Sequence, residues 1–216
     1  MTKIKIIGLL GRSGTGKNTV ADHIRVMTGE RIHVPLLTTS RPKRPLEIEG
    51  REYHFVKKEQ AIAAIEAGET VWHSCFNDWY YYLPVGNLSQ DKVNLLVLNP
   101  SAAVQMDQMN KANNEFMSLR FFELTLPDAE LWKRVGTRPD LIEVCRRWPE
   151  DIKDFNEANY KKLPVYHMQN DDSNITAYML TNYIMGMEDA WAKDIKPHIW
   201  NPTLYGIPKK KTEDCE

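Results

Sequence analysis

Residues 4–17 read Ile4-Lys5-Ile6-Ile7-Gly8-Leu9-Leu10-Gly11-Arg12-Ser13-Gly14-Thr15-Gly16-Lys17. The apolar run from Ile4 to Leu10 predicts a buried strand, and a helical pattern from Asn18 to Met27 follows the glycines and lysine. Strand, glycine-rich turn, lysine and helix, in that order, make a phosphate-binding loop. Glycines let successive backbone N–H groups turn inward around phosphate oxygens, and the helix points its positive end at the same anion. Lys17 then reaches the outer phosphates. The candidate donor-nucleotide residues are therefore Gly11, Ser13, Gly14, Thr15, Gly16, Lys17, Asn18 and Thr19. A Ser or Thr usually follows the lysine and binds magnesium. Here Asn18 takes that place and becomes the candidate metal ligand through its amide oxygen, Thr19 lying one position too late.

Working outward, short apolar runs alternate with helical patterns. His33 to Leu37, Leu95 to Leu98, Phe121 to Leu126 and Val165 to Met168 read as further strands, which argues for a parallel sheet wrapped by helices. Lys58 to Ala67 reads as a helix inside a tyrosine-rich insert. Ile175 to about Lys193 reads as the last helix, with Leu180, Ile184, Met187 and Trp191 as a core stripe.

A second constellation runs Thr38-Thr39-Ser40-Arg41-Pro42-Lys43-Arg44, then Glu47, Gly50, Glu52-Tyr53-His54-Phe55-Val56 and Trp79-Tyr80-Tyr81-Tyr82. Guanidinium forks suit phosphate oxygens and phenol hydroxyls donate to them. In this order, behind a phosphate loop, the segment resembles the guanylate kinase family over about residues 4–182. The resemblance implies a P-loop NTPase fold of the α/β class, with a mixed α/β acceptor-binding insert and a helical lid. It divides the chain into a single domain over 1–195, with core 1–37 and 89–195, insert 38–88, lid about 134–160, and a tail over 196–216. It implies that ATP with Mg2+ phosphorylates a (deoxy)nucleoside monophosphate, and that Arg41, Arg44, Tyr53 and Tyr81 hold the acceptor's phosphate. Behind Leu126-Pro127-Asp128, Arg138 and Arg147 (or Arg146) match the lid arginines. With Lys17 they are the candidate catalytic groups, because phosphoryl transfer depends mostly on positioned cations. Asn170, in Gln169-Asn170-Asp171-Asp172, matches a residue near the donor adenine, and the same stretch equally suits a loop and helix cap ahead of Ile175.

The chain departs from that family where the base is read. Leu37 stands where the family has a serine, Trp72 where it has a glutamate, and Val97 and Asn99 where it has a strand carboxylate pair. A pocket recognises a base edge by satisfying buried polar groups, so these changes put guanine selectivity in doubt and suit another or a modified base, as virus-encoded pathways use. Trp72 either frames the base or packs in the insert's core with Glu69 reading the base, and Asn99 can donate and accept. Two other readings remain: a non-catalytic phospho-ligand binding module and a kinase for a phosphoribosyl compound.

The chain has 216 residues, 42% hydrophobic and 26% charged, with a net charge of -1, enough for one buried core and without a global basic balance for nucleic acid. Cys75, Cys145 and Cys215 lack paired or metal-like spacing, which suits a reducing compartment. The first strand starts close to Met1 with no basic and apolar leader, and no run matches a membrane span. The expectation is a cytoplasmic monomer or homodimer with no nucleic-acid or membrane partner.

Overall fold

The computed structural model describes residues 3–137, 141–155, 163 and 165–192. Its elements are β1 (Ile4–Leu10), α1 (Lys17–Thr28), β2 (Ile32–His33), β3 (Thr38–Thr39), β4 (His54–Phe55), α2 (Lys58–Glu66), β5 (Thr70–Phe76) and β6 (Trp79–Pro84), followed by β7 (Val93–Val97), α3 (Pro100–Ala112), β8 (Met117–Thr125), α4 (Asp128–Gly136), α5 (Leu141–Asp154), β9 (Val165–Gln169) and α6 (Ser173–Ala192).

Five strands form a parallel sheet in the order β2-β7-β1-β8-β9. β1 lies at its centre, covered on both faces, which is why its sequence is a continuous apolar run rather than an alternation. Ile7 and Leu9 pack with Val20 and Ile24 of α1 and Leu180 and Ile184 of α6. Ile6 and Leu10, on the opposite pleat, pack with Ala102, Ala103 and Met106 of α3 and Phe121 of β8. Gly8 sits between them because a Cβ there would meet the Phe121 ring at 2.8 Å.

The insert forms a second sheet in the order β4-β3-β6-β5, with β3 parallel to β4 and the other pairs antiparallel. Tyr81 pairs with Thr39 on one side and Ser74 on the other, while Trp72 pairs with Leu83. Alternation therefore puts Thr39, Trp72, Ser74, Tyr81 and Leu83 on one sheet face.

One expectation is corrected and one helix is new. The strand expected over His33 to Leu37 ends at His33, because Pro35 offers no N–H to a ladder. Helix α3 was not anticipated, although Asn99 before Pro100 is a strong start signal: the Asn99 side chain accepts from the Ala102 N–H at 2.9 Å and Pro100 occupies the first helical position. The last helix and α2 begin within two residues of their expected starts. Among the described residues, no helix is long and apolar enough to cross a membrane. The tail over 196–216 lies outside the described residues.

Candidate active site

The loop between β1 and α1 lies at the carboxyl end of the central strand, where open α/β sheets bind ligands. Gly14 and Gly16 have φ of 91° and 89°, a region that side-chain-bearing residues rarely enter. Close approach adds a second constraint, since a Cβ on Gly14 would lie 2.6 Å from Val135 Cγ2 and one on Gly16 would lie 2.6 Å from Asn170 Nδ2. Thr15 is buried and braces the turn by donating from Oγ1 to the Arg12 carbonyl at 2.8 Å. No side chain caps α1 and its first turn holds no acidic residue, so its N-terminal amides face an anion without competition from their own helix. Lys17 Nζ donates to the carbonyls of Gly11 at 2.5 Å and Arg12 at 3.1 Å. Asn18 and Thr19 are exposed on the first turn of α1.

Asn170 lies beneath the loop with no exposed surface. It donates from Nδ2 to the Thr15 carbonyl at 2.6 Å and to Ser173 Oγ at 3.2 Å, while its buried Oδ1 has no partner among the described residues. The cap of α6 falls two residues on, at Asp172, whose Oδ1 accepts from the Asn174 and Ile175 N–H groups. Those two donors hold the Asp172 carboxyl below its ordinary range.

Helices α4 and α5 border the outer side of the loop. Arg12 pairs with Asp128 at the start of α4, and its guanidinium lies 5.4 Å from the centre of the Trp148 ring on α5. Trp148 stacks in turn on Trp132 of α4 at 4.2 Å. The Ser13 N–H donates to Asp151 Oδ2 of α5 at 2.6 Å. Arg134, in the last turn of α4, donates to the Asp171 carbonyl at 2.7 Å and so ties α4 to the turn after β9. Arg138 lies outside the described residues, as do the side chains of Arg146 and Arg147, although their backbone belongs to α5. Cys145 of α5 is exposed.

In the insert, the sequence pattern is brought together around Arg41. Its guanidinium is 6% exposed, donates to Glu47 Oε1 at 2.6 Å and the Pro42 carbonyl at 2.9 Å, and lies 5.8 Å from the ring centres of both Tyr53 and Phe55. The Tyr53 and Tyr81 rings meet edge to face at 6.0 Å. The hydrogen bond to Glu47 raises the Arg41 pKa further, and the same bond, with the Arg44 N–H at 2.8 Å, holds the Glu47 carboxyl below its ordinary range. The Arg44 side chain is exposed beside it. A cation flanked by phenols and oriented by its neighbours has the chemistry to hold an oxyanion.

The residues expected to frame the base are placed less uniformly. Leu37 is half-buried against the apolar cluster that includes Trp72, Leu83 and Leu98. Trp72 is 9% exposed within that cluster, on the sheet face of Tyr81, and its indole Nε1 has no partner among the described residues. Asn99 is exposed, with its oxygen engaged in capping α3 and its Nδ2 3.4 Å from Asp154 Oδ2. Arg12, Asp128 and Asp151 were missed from the sequence, since no local motif marks a contact between residues more than a hundred positions apart.

A parallel sheet with this loop on its central strand, joined to an insert that presents a buried arginine and two tyrosines, defines a P-loop nucleotide-binding protein. The guanylate kinase family model matches residues 3–90. A guanylate kinase of Porphyromonas gingivalis is 39% identical over 178 residues, covering 80% of this chain and 90% of that protein. This chain belongs to the guanylate kinase family. Its alignment to the guanylate kinase of Frankia casuarinae, also 39% identical, spans 39% of this chain and only 45% of that protein. The crystal structure of guanylate kinase from Anaplasma phagocytophilum has the same fold, with a TM-score of 0.57 over 87% of each chain at 18% identity.

Proposed function

We propose that this chain is an ATP-dependent nucleoside monophosphate kinase, transferring the terminal phosphoryl group of ATP to a (deoxy)nucleoside monophosphate to give the diphosphate. The observation that carries this reading is that the phosphate loop with Lys17 and the Arg41, Tyr53 and Tyr81 cluster occur in one chain, one site for each phosphorylated substrate.

The residues present fit a magnesium nucleotide. The glycine turn leaves no room for a Cβ at Gly16, and the first turn of α1 keeps its amides free of acidic side chains. Among the described residues no group of three His, Cys, Asp or Glu could hold a metal, so a divalent cation here would take phosphate oxygens as most of its ligands, with Asn18 the protein group that would contribute. When bound, Mg2+ supplies charge neutralisation across the outer phosphates.

Lys17 and the loop amides hold the donor phosphates. Arg41, assisted by Tyr53, Tyr81 and Arg44, fixes the acceptor phosphate so that its oxygen attacks in line. Arg138 and Arg147 offset charge on the transferred group, and closing helices exclude water from it. Leu37 contributes no carboxylate to the base pocket, Trp72 lies within the apolar cluster and Asn99 is engaged at α3, so the accepted base is another or a modified base in place of guanine. These roles for individual residues carry over from the family pattern and are supported by the clustering around Lys17 and Arg41.

The test is ADP production from ATP and magnesium with each common ribo- and deoxynucleoside monophosphate and with 5-modified pyrimidine monophosphates, using Lys17→Ala as the control. Selective turnover that is lost in the control supports the reading. Turnover on guanine nucleotides alone refutes the altered pocket, and none with any acceptor refutes the kinase.

A further inference from the structure

Ser13 is the third residue of the phosphate loop, and its N–H donates to Asp151 Oδ2 from α5 at 2.6 Å, across 138 positions of sequence. A carboxylate oxygen and a phosphate oxygen make the same demand on a backbone N–H, namely an anionic acceptor. The surroundings reinforce the contact. Trp148, one turn before Asp151 on α5, stacks on Trp132 of α4 and lies beneath the Arg12 guanidinium, which pairs with Asp128. Three residues further along α5, Asp154 lies beside Asn99 at the carboxyl end of β7. The lid helix is thus seated over the loop with a negative charge directed into it.

We propose that Asp151 is an internal competitor for nucleotide phosphate: its carboxylate occupies an amide of the loop and docks α5 there, and an incoming polyphosphate expels it. Two anions cannot share the loop without mutual repulsion, which grows as water is excluded. The coupling is reciprocal, so the nucleotide releases α5 as strongly as docked α5 weakens the nucleotide. Expulsion would leave α5, with its arginines, available to close over a bound donor rather than over an empty loop. The inference rests on the phosphate-loop reading above and is independent of which acceptor is used.

The experiment measures binding of ADP and of inorganic pyrophosphate, without divalent metal, to the full chain as wild type, Asp151→Ala and Asp151→Asn. Amide exchange at Ser13 is followed in the ligand-free proteins. Asp151→Ala is expected to bind both ligands about tenfold more tightly, a coupling within the usual range for linked sites. Asp151→Asn should gain less, since its amide oxygen still accepts from Ser13, and Ser13 exchange should accelerate in Asp151→Ala. Unchanged or weaker binding in Asp151→Ala overturns the proposal, and so does unchanged Ser13 exchange. Normal kinase turnover with unchanged affinity overturns the competitor alone. Tighter ADP binding in a protein that phosphorylates no monophosphate overturns the kinase reading and leaves the competitor standing.

Discussion

Asn170 and Thr15 are 155 positions apart in sequence and joined by a hydrogen bond of 2.6 Å from the asparagine Nδ2 to the threonine carbonyl, both residues being buried. The turn after the edge strand β9 thereby holds the loop after the central strand β1. Asn170→Ala leaves the Thr15 carbonyl buried without this partner, at a cost of about 1–3 kcal/mol. Thermal unfolding should shift down accordingly, and ATP affinity should fall because the loop loses its support. Unchanged melting and affinity would show that the contact does not restrain the loop.

Gly16→Ala should be at least as costly, since the residue needs φ of 89° and its Cβ would meet Asn170 Nδ2 at 2.6 Å. Backbone strain of this kind costs about 1–3 kcal/mol. Adding Asn170→Ala removes the collision but not the strain, so the double variant should lose less stability than the sum of the two single ones. A double-mutant cycle by denaturant unfolding measures that difference, and strict additivity would argue against the contact.

Arg41→Lys keeps the charge and loses the fork and the ring stacking. The KM for the monophosphate should rise about tenfold or more, corresponding to roughly 1.4 kcal/mol, while the KM for ATP stays near that of the wild type. Steady-state kinetics with each substrate varied in turn decides this, and an equal rise in both constants would count against an acceptor-specific role.

The Arg41–Glu47 pair makes a signed prediction for acid. Glu47 has a folded-state pKa below its ordinary 4.5, chiefly through the hydrogen bond from Arg41. Its stabilisation is fully present above the unfolded value and is lost as pH falls through the lower folded value, where the unfolded chain has already bound its proton. Glu47→Gln should therefore lower the melting temperature at pH 7 and converge with the wild type as pH drops well below 4.5. A gap that persists or widens in acid would contradict this.

Asn18 stands on the first turn of α1 where a hydroxyl residue usually binds magnesium. Asn18→Ser should lower the magnesium concentration giving half-maximal turnover. A magnesium titration that does not move excludes the residue as a ligand.

Much of the fold and part of the site were legible because their causes are local. The strand, glycines and lysine of 4–17 are contiguous, and Arg41, Arg44 and Glu47 meet within one short turn. Asn99 illustrates the limit of such reading: the base-pocket pattern gives no hint that Pro100 beside it starts α3 and that its side chain caps that helix. Trp72 was open between base and core, and only the stacking of α3 on β5 shows it buried in an apolar cluster.

The amino-acid sequence by itself determined that a buried strand leads into an anion-binding loop and helix, because glycine conformational freedom, a fixed lysine spacing and apolar continuity act over a few residues. Its resemblance to the guanylate kinase family also singled out Arg41, Tyr53 and Tyr81, which the fold brings together. Tertiary structure alone decided that Asn170 supports Thr15, that Arg134 ties α4 to the turn after β9, and that Asp151 reaches the amide of Ser13. Each of these joins groups far apart along the chain. Their approach depends on how the parallel strands order themselves and how the helices pack on the sheet, which no local pattern of residues encodes.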